Sequence, residues 1–300
     1  MSMTQDFKLI SLNVKGLCNK RKRTGVFRWL KRVNMDIAFI QEAHCTKETE
    51  MVWDREWEGK VIYAHGTSNS RGCLILVRDK LDYEIISLKT DVCGRYIILC
   101  TEINETIFFF INVYLPNTEN EQLPFLSNLL NILKEYNLTN EDNIIMGGDW
   151  NIVRNLAMDK SGGLNISKDK SNEKLNEIMS IFELSDTWRI KYPTTKRYTW
   201  RQKSPLIQCR LDFFLISDLL FDNLEKLDII PSIHTDHSAI TVTYKKLSTH
   251  KKGAGFWKFN NKLLTNIDFV QTLTAKLEIW KAQYKTLMIK ELFGNSSNMK

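Results

Sequence analysis

The chain has 300 residues, 43% apolar and 26% charged, which suffices for a substantial core and is ordinary for a soluble domain. No apolar run approaches membrane-spanning length, no basic stretch leads into an apolar leader, and the six cysteines are scattered without a Cys-x-x-Cys pair. A membrane span, a secretory leader, a structural zinc and a disulfide framework are therefore not expected, and the chain reads as intracellular. The net charge of +7 is concentrated in Lys20-Arg21-Lys22-Arg23 and around Lys245, Lys246, Lys251 and Lys252. Taken singly each basic run is a solvated face, but the balance favours a polyanionic partner, nucleic acid first.

Strand-like segments are predicted at 7–14, 36–41, 61–64, 73–78, 83–88, 95–102, 106–114 and 143–146, then at 197–200, 210–216, 227–229 and 239–244. Helical spacing joins Val26, Trp29, Leu30 and Val33, then Leu126, Leu129, Leu130 and Leu133, then Leu175, Ile178, Met179 and Phe182. Many strands and few helices predict an α/β fold in which two sheets pack face to face with helices outside. The connections between residues 61 and 114 are too short for helical crossovers, so those strands are expected to be antiparallel. Composition shifts near residue 247, giving a main domain at 1–247. A linker at 248–255 and a helix at 263–292, with Trp280 among its apolar residues, are expected to follow in a second region at 248–300.

Polar residues recur at the ends of apolar strands. Asn13 ends the first, Gln41-Glu42 the second, Asn112 and Tyr114 a third, and Asp149 and Asn151 follow a fourth across Gly147-Gly148, where a sharp turn is expected. Asp212 lies within an apolar strand, where a carboxylate needs a partner, and His237 in Thr235-Asp236-His237-Ser238 is the candidate. An Asp-oriented His can hold or move a proton, and Glu42 is as readable as a metal ligand as it is as a surface acid. Taken alone, Asn13 reads first as a satisfied strand-end amide and Tyr114 as a half-buried aromatic. No Ser or Cys nucleophile is marked, which favours direct attack by water.

Leu12-Asn13-Val14, Ile40-Gln41-Glu42, Asn112-Val113-Tyr114, Gly147-Gly148-Asp149-Trp150-Asn151, Arg210-Leu211-Asp212 and Thr235-Asp236-His237-Ser238 stand in the order used by the endonuclease/exonuclease/phosphatase superfamily, which residues 7–245 resemble. Asp186-Thr187-Trp188-Arg189, Tyr192-Pro193, Tyr198-Thr199-Trp200 and Gly255-Phe256-Trp257-Lys258-Phe259-Asn260-Asn261 make the chain most similar to the nuclease of LINE-1-type retrotransposon polyproteins. The resemblance implies a four-layer α/β sandwich of the DNase I-like kind, two packed mixed β-sheets flanked by helices. By matched position it implies Asp149, Asn151, His237, Asp212 and Tyr114 as catalytic residues, and Glu42, Asn13 and Asp236 at a Mg²⁺ ion that Mn²⁺ could replace. Thr199, Thr235 and Asn112 would contact phosphate, and Arg21 and Lys22 the DNA. The implied activity is a Mg²⁺-dependent nick in duplex DNA that leaves a 3′-hydroxyl to prime reverse transcription in the nucleus. Its implied partners are double-stranded DNA, a reverse-transcriptase region of the same polyprotein and, indirectly, the element RNA. Lys15 departs from the pattern, standing where repair-type apurinic endonucleases have an Asp that helps hold the metal, and Thr235 replaces a common Ser. An apurinic-site repair endonuclease or 3′-5′ exonuclease is the alternative enzyme. A decayed, non-catalytic DNA-binding module is the alternative of another class.

Overall fold

Strands that are covered on both faces need apolar side chains on both, and this chain supplies them in nearly continuous runs. In the computed structural model, described for residues 6–165, 167–245, 267, 269–278 and 280–281, the chain divides into two compact units, Met1–Leu247 and Ser248–Lys300. The first unit begins β1 (Phe7–Asn13), α1 (Lys20–Arg32), β2 (Ile37–Gln41), α2 (Glu50–Glu56), β3 (Gly59–Ala64), β4 (Cys73–Arg78), β5 (Glu84–Thr90), β6 (Tyr96–Ile103), β7 (Thr106–Tyr114), α3 (Glu119–Glu135) and β8 (Ile144–Asp149). It continues with α4 (Leu156–Asp159), β9 (Lys160–Ser161), α5 (Asp169–Ile181), β10 (Leu184–Asp186), α6 (Thr187–Lys191), β11 (Trp200–Gln202), β12 (Ile207–Cys209), β13 (Asp212–Ser217), β14 (Leu224–Ile230) and β15 (Ala239–Tyr244).

Two six-stranded mixed sheets result, in the orders β14-β15-β1-β2-β4-β3 and β10-β13-β8-β7-β6-β5, with a small sheet β11-β12-β9 beside them. The pairs β1–β2 and β7–β8 are parallel and are connected through α1 and α3, whereas β3–β4 and β5–β6–β7 pair antiparallel as their short connections require. Alternation along each strand then builds three cores. Leu9, Phe39 and Ile75 meet Leu99, Phe110 and Phe214 between the sheets. Ile10, Leu12 and Ile40 meet Val26, Leu30 and Trp53 under α1 and α2, and Ile111, Val113 and Met146 meet Leu129, Leu133 and Ile178 under α3 and α5. Three cores between four layers are the expected sandwich.

Several local expectations change. The strand predicted at 143–146 runs on to Asp149, so Gly147 and Gly148 lie inside it and make no turn. Close packing explains them: a Cβ on Gly148, whose φ is +151°, would sit 1.8 Å from the Val113 carbonyl oxygen, and one on Gly147 would sit 2.4 Å from the Phe214 ring. The predicted strand at 197–200 contributes only its last residue, because Arg197 is drawn to the Ile229 carbonyl while Trp200 begins β11. The basic run is also not one face, since Arg23 is buried and pairs with Glu56 at 2.7 and 2.9 Å.

In the second unit, residues 267, 269–278 and 280–281 are helical, within the expected helix. The linker at 248–255, the Gly255 to Asn261 segment and the cationic Lys246, Lys251 and Lys252 lie outside the described residues. No helix among the described residues is long and apolar enough to cross a membrane.

Candidate active site

Register brings the acids together. Asp149 ends β8, pairs with Tyr114 on β7 and with Asp212 on β13, so three polar side chains stand abreast on neighbouring strands. From the other sheet, Asn13 at the end of β1 donates through Nδ2 to Asp149 Oδ2 at 2.9 Å, and the Asn151 backbone N–H donates to Asp149 Oδ1 at 3.1 Å. The first contact spans the two sheets, which fixes the carboxylate where both meet. Asn151 turns the chain away with a φ of +49°, and its own amide donates to the Leu115 carbonyl at 2.9 Å.

His237 lies on the loop between β14 and β15. Its Nδ1 is 2.9 Å from Asp212 Oδ2 and its Nε2 is 4.0 Å from Asp149 Oδ2, so the ring bridges two buried carboxylates. Burial disfavours the imidazolium, but the charge and hydrogen bond of Asp212 outweigh it and lift the His237 pKa to about 9. Asp149 moves the other way from an ordinary carboxylate. Burial and the Asp212 charge push it up to about 7, against the pull of His237, Asn13 and Asn151. An Asp that can accept a proton near neutrality thus stands beside a His that keeps one, the pairing expected of acid–base machinery.

The loop that carries His237 is pinned at several points. Thr235 Oγ1 donates to the Asn13 carbonyl at 3.0 Å and accepts the His237 N–H at 3.3 Å. Strand β11 and the residue before it back the loop through Ser238 N–H to Thr199 O at 2.6 Å and Arg201 N–H to Asp236 O at 3.2 Å. Asn13, Lys15, Glu42, Tyr114, Asp149, Asn151, Asp236 and His237 line one cavity of about 320 Å³. Glu42 enters it with a φ of +51° and accepts the Tyr114 hydroxyl through Oε1 at 2.7 Å. Burial and the Glu42 charge raise the Tyr114 pKa far above its ordinary value, so the phenol acts as a hydrogen-bond donor.

Other expected contacts lie elsewhere. Asn112 is fully buried and donates to the Ile40 and Leu74 carbonyls at 3.0 and 2.9 Å while accepting from Gln41. It clamps the two sheets, and no phosphate can reach it. Thr199 is likewise fully buried, its Oγ1 accepting the Leu211 and Asp212 N–H groups at 2.9 and 3.1 Å. It positions Asp212 instead of touching substrate. Thr235 serves as a loop anchor, Arg21 is exposed on α1, and Lys22 donates to the Lys15 carbonyl at 2.9 Å.

Of the expected metal set, Glu42 presents its carboxylate to the cavity, but Asn13 turns its amide nitrogen to Asp149 and Asp236 is engaged by Lys15 Nζ at 2.9 Å. A second donor group is Asp149, Asp212 and His237, whose ligand atoms lie within 4.8 Å of one another, and Asp212 Oδ1 is buried without a hydrogen-bond partner. The Asp149, Asp212 and His237 group and, across the cavity, the hard oxygen donor Glu42 are thus the candidate places for a cation.

Residues 10–237 match the Endonuclease/Exonuclease/phosphatase family. The chain belongs to that family. It is 28% identical over 274 residues to the "Transposon TX1 uncharacterized 149 kDa protein" of Xenopus laevis, a match covering 91% of this chain and 20% of that protein. The chain thus spans about a fifth of the relative's length. Among solved structures, it superposes on an AP endonuclease from Leishmania major with a TM-score of 0.68 at 17% identity, covering 80% of this chain and 88% of the other. An AP endonuclease from Archaeoglobus fulgidus gives 0.65 at 18% identity, covering 79% and 99%. The likeness is one of fold, and it agrees with the DNase I-like sandwich. This is a nuclease-like domain related to the transposon protein, with a buried Asp–His–Asp cluster at its candidate site.

One neighbour of the site went unread in the sequence. Lys168 donates to the Asn117 and Asn151 carbonyls at 2.5 and 2.7 Å, joining the loops that follow β7 and β8. Amid Asn, Ser and Lys it reads as a solvated loop residue, and no local signal distinguishes it.

Proposed function

We propose that this domain hydrolyses a phosphodiester in duplex DNA, nicking one strand to leave a 3′-hydroxyl, and that it does so with a divalent metal. The observation that carries the reading is the buried Asp149 carboxylate, held by Asn13 and Asn151 and faced by a His237 that Asp212 keeps protonated. Asp149 takes the proton of a water attacking phosphorus, the bond to the 3′ oxygen breaks, and that oxygen leaves as the hydroxyl after taking a proton from solvent. His237 faces the charge that builds on the phosphate oxygens, and Asp212 holds its ring in place. Glu42 would hold a divalent ion, Mg²⁺ or Mn²⁺, which when bound would supply further charge compensation at the phosphate. Tyr114 orients Glu42 for it.

The transposon relative and the basic charge favour a target-priming nuclease, with duplex DNA as substrate and a reverse-transcriptase region and element RNA as partners in a longer polyprotein working in the nucleus. The test is nicking of supercoiled plasmid in Mg²⁺. Activity that persists in EDTA, or in the Asp149→Ala, His237→Ala double variant, would sink the proposal. A strong preference for an abasic duplex over a matched intact one would replace it with the repair-endonuclease reading.

A further inference from the structure

On the cavity wall, Lys15 has both its backbone and its side chain held in place by other polar side chains. Its φ is +52°, a region a residue with a Cβ enters at a cost, and Gly16 after it also has a left-handed φ of +87°. Asn13 Oδ1 accepts its N–H at 3.0 Å and Lys22 Nζ donates to its carbonyl at 2.9 Å. Its ammonium then reaches Asp236 Oδ2 at 2.9 Å across 221 residues of chain. Asn or Gly would relax the same turn without strain, so the side chain must justify the lysine. Stability does not: the Lys15 side chain is 62% exposed, and exposed ion pairs contribute little once salt and side-chain entropy are counted.

Position supplies the reason. Lys15 lines the same cavity as Asp149, Glu42 and His237. We infer that the Lys15 ammonium, aimed by Asp236, binds a non-bridging oxygen of the phosphate being hydrolysed, so that Lys15 is a further catalytic residue. This rests on the phosphodiesterase reading above. Asp236 is in this account the positioning residue, its carboxylate setting where the flexible side chain points. An ammonium on a compact, hydrated head binds phosphate as a point charge, while arginine at the same place would keep the charge and add a fork.

The experiment uses the full chain with Lys15 unaltered, Lys15→Met or Lys15→Arg. Binding of a short DNA duplex is followed in EDTA over a salt series, and plasmid nicking is followed in Mg²⁺ at saturating DNA. Lys15→Met is expected to reduce the slope of log affinity against log salt by about 0.9, the loss of one phosphate contact. It is also expected to lower kcat by ~10–100-fold, as removal of one charge-stabilising donor does. Lys15→Arg is expected to restore the slope and most of kcat, with the thermal midpoint unchanged in both variants. An unchanged slope overturns the assignment even if kcat falls, since Lys15 would then act through Asp236 alone. A changed slope with unchanged kcat also overturns it, because the phosphate contacted would not be the reacting one. If the unaltered chain fails to nick, the phosphodiesterase reading fails by itself, and the salt slopes in EDTA still decide whether Lys15 takes a phosphate.

Discussion

Arg210 and Asp212 are two residues apart, yet each anchors a buried charged cluster of a different kind. Arg210 is fully buried and hydrogen-bonds Asp159 at 2.8 and 3.1 Å and Asp186 at 3.1 and 2.7 Å, and Arg189 adds a second guanidinium to Asp159. Two cations meet two anions. Burial alone would push the Asp159 carboxyl up, but the hydrogen bonds and charge of Arg210 outweigh it and hold its pKa below the ordinary carboxylate value. On the other side of Leu211, Asp212 and Asp149 share one imidazole, and Asp212 Oδ1 is left without a partner. The balanced cluster locks the chain, whereas the unbalanced one keeps two groups able to exchange protons near neutral pH. Placing both on one segment lets the first rigidify what the second uses.

The sharpest break between them is on rate. Asp149→Ala and His237→Ala are each expected to lower nicking ~10³-fold or more with the fold retained, and the double variant to cost little beyond either single change, because the two act as a unit. Single-turnover plasmid assays beside thermal melts check this. The opposite signature belongs to Arg210→Met, which leaves the buried Asp186 without its cation and Asp159 with Arg189 alone, and is expected to cost about 3–5 kcal/mol of stability by denaturant titration. Its residual activity is expected to track the folded fraction.

Acidity sharpens the contrast further. With Asp149 needed as a base and His237 as a cation, activity is expected to rise as pH passes about 7 and to fall above about 9, the two limits belonging to the coupled pair. Stability runs differently. Both pKa values are raised in the fold, so the contribution of Asp149 is complete below its ordinary 3.8 and lost as pH rises through about 7, and that of His237 is complete below 6.5 and lost through about 9. Asp149→Asn is therefore expected to raise Tm by a few degrees at pH 8 while abolishing nicking. A Tm that falls in that variant would show that Asp149 belongs with the structural cluster. The smallest effect is expected at Thr199→Val, which leaves the Leu211 and Asp212 amides without their acceptor and is expected to cost ~1–2 kcal/mol and part of kcat, with Thr199→Ser close to unaltered.

Much of this was legible in the chain. Apolar runs without a clean polar face announce strands covered on both sides, and the acids and amides that end them mark the rim where Asp149, Asn13, Glu42 and His237 converge. The glycine pair was legible as a special position but misread as a turn, because glycine answers equally to a positive φ and to a close neighbour. Asn112 and Thr199 were misread for a related reason: an amide or hydroxyl at a strand end can face substrate or satisfy buried backbone, and the residue type is the same in both cases. Short elements such as β10, β12 and α6 carry too few residues for a period to emerge.

By itself, then, the sequence determined the layering and the identity of the polar strand ends, since both follow from side-chain chemistry repeated at strand and helix spacing. Tertiary structure alone decided which of those ends work together. Asn13 meets Asp149 across 136 residues because the two sheets pack with their strand ends level, and Lys15 meets Asp236 across 221 because β1 pairs beside β15 in one sheet. Local pattern encodes burial and period, whereas the direction of a polar side chain at a strand end is set by packing between segments far apart in the chain.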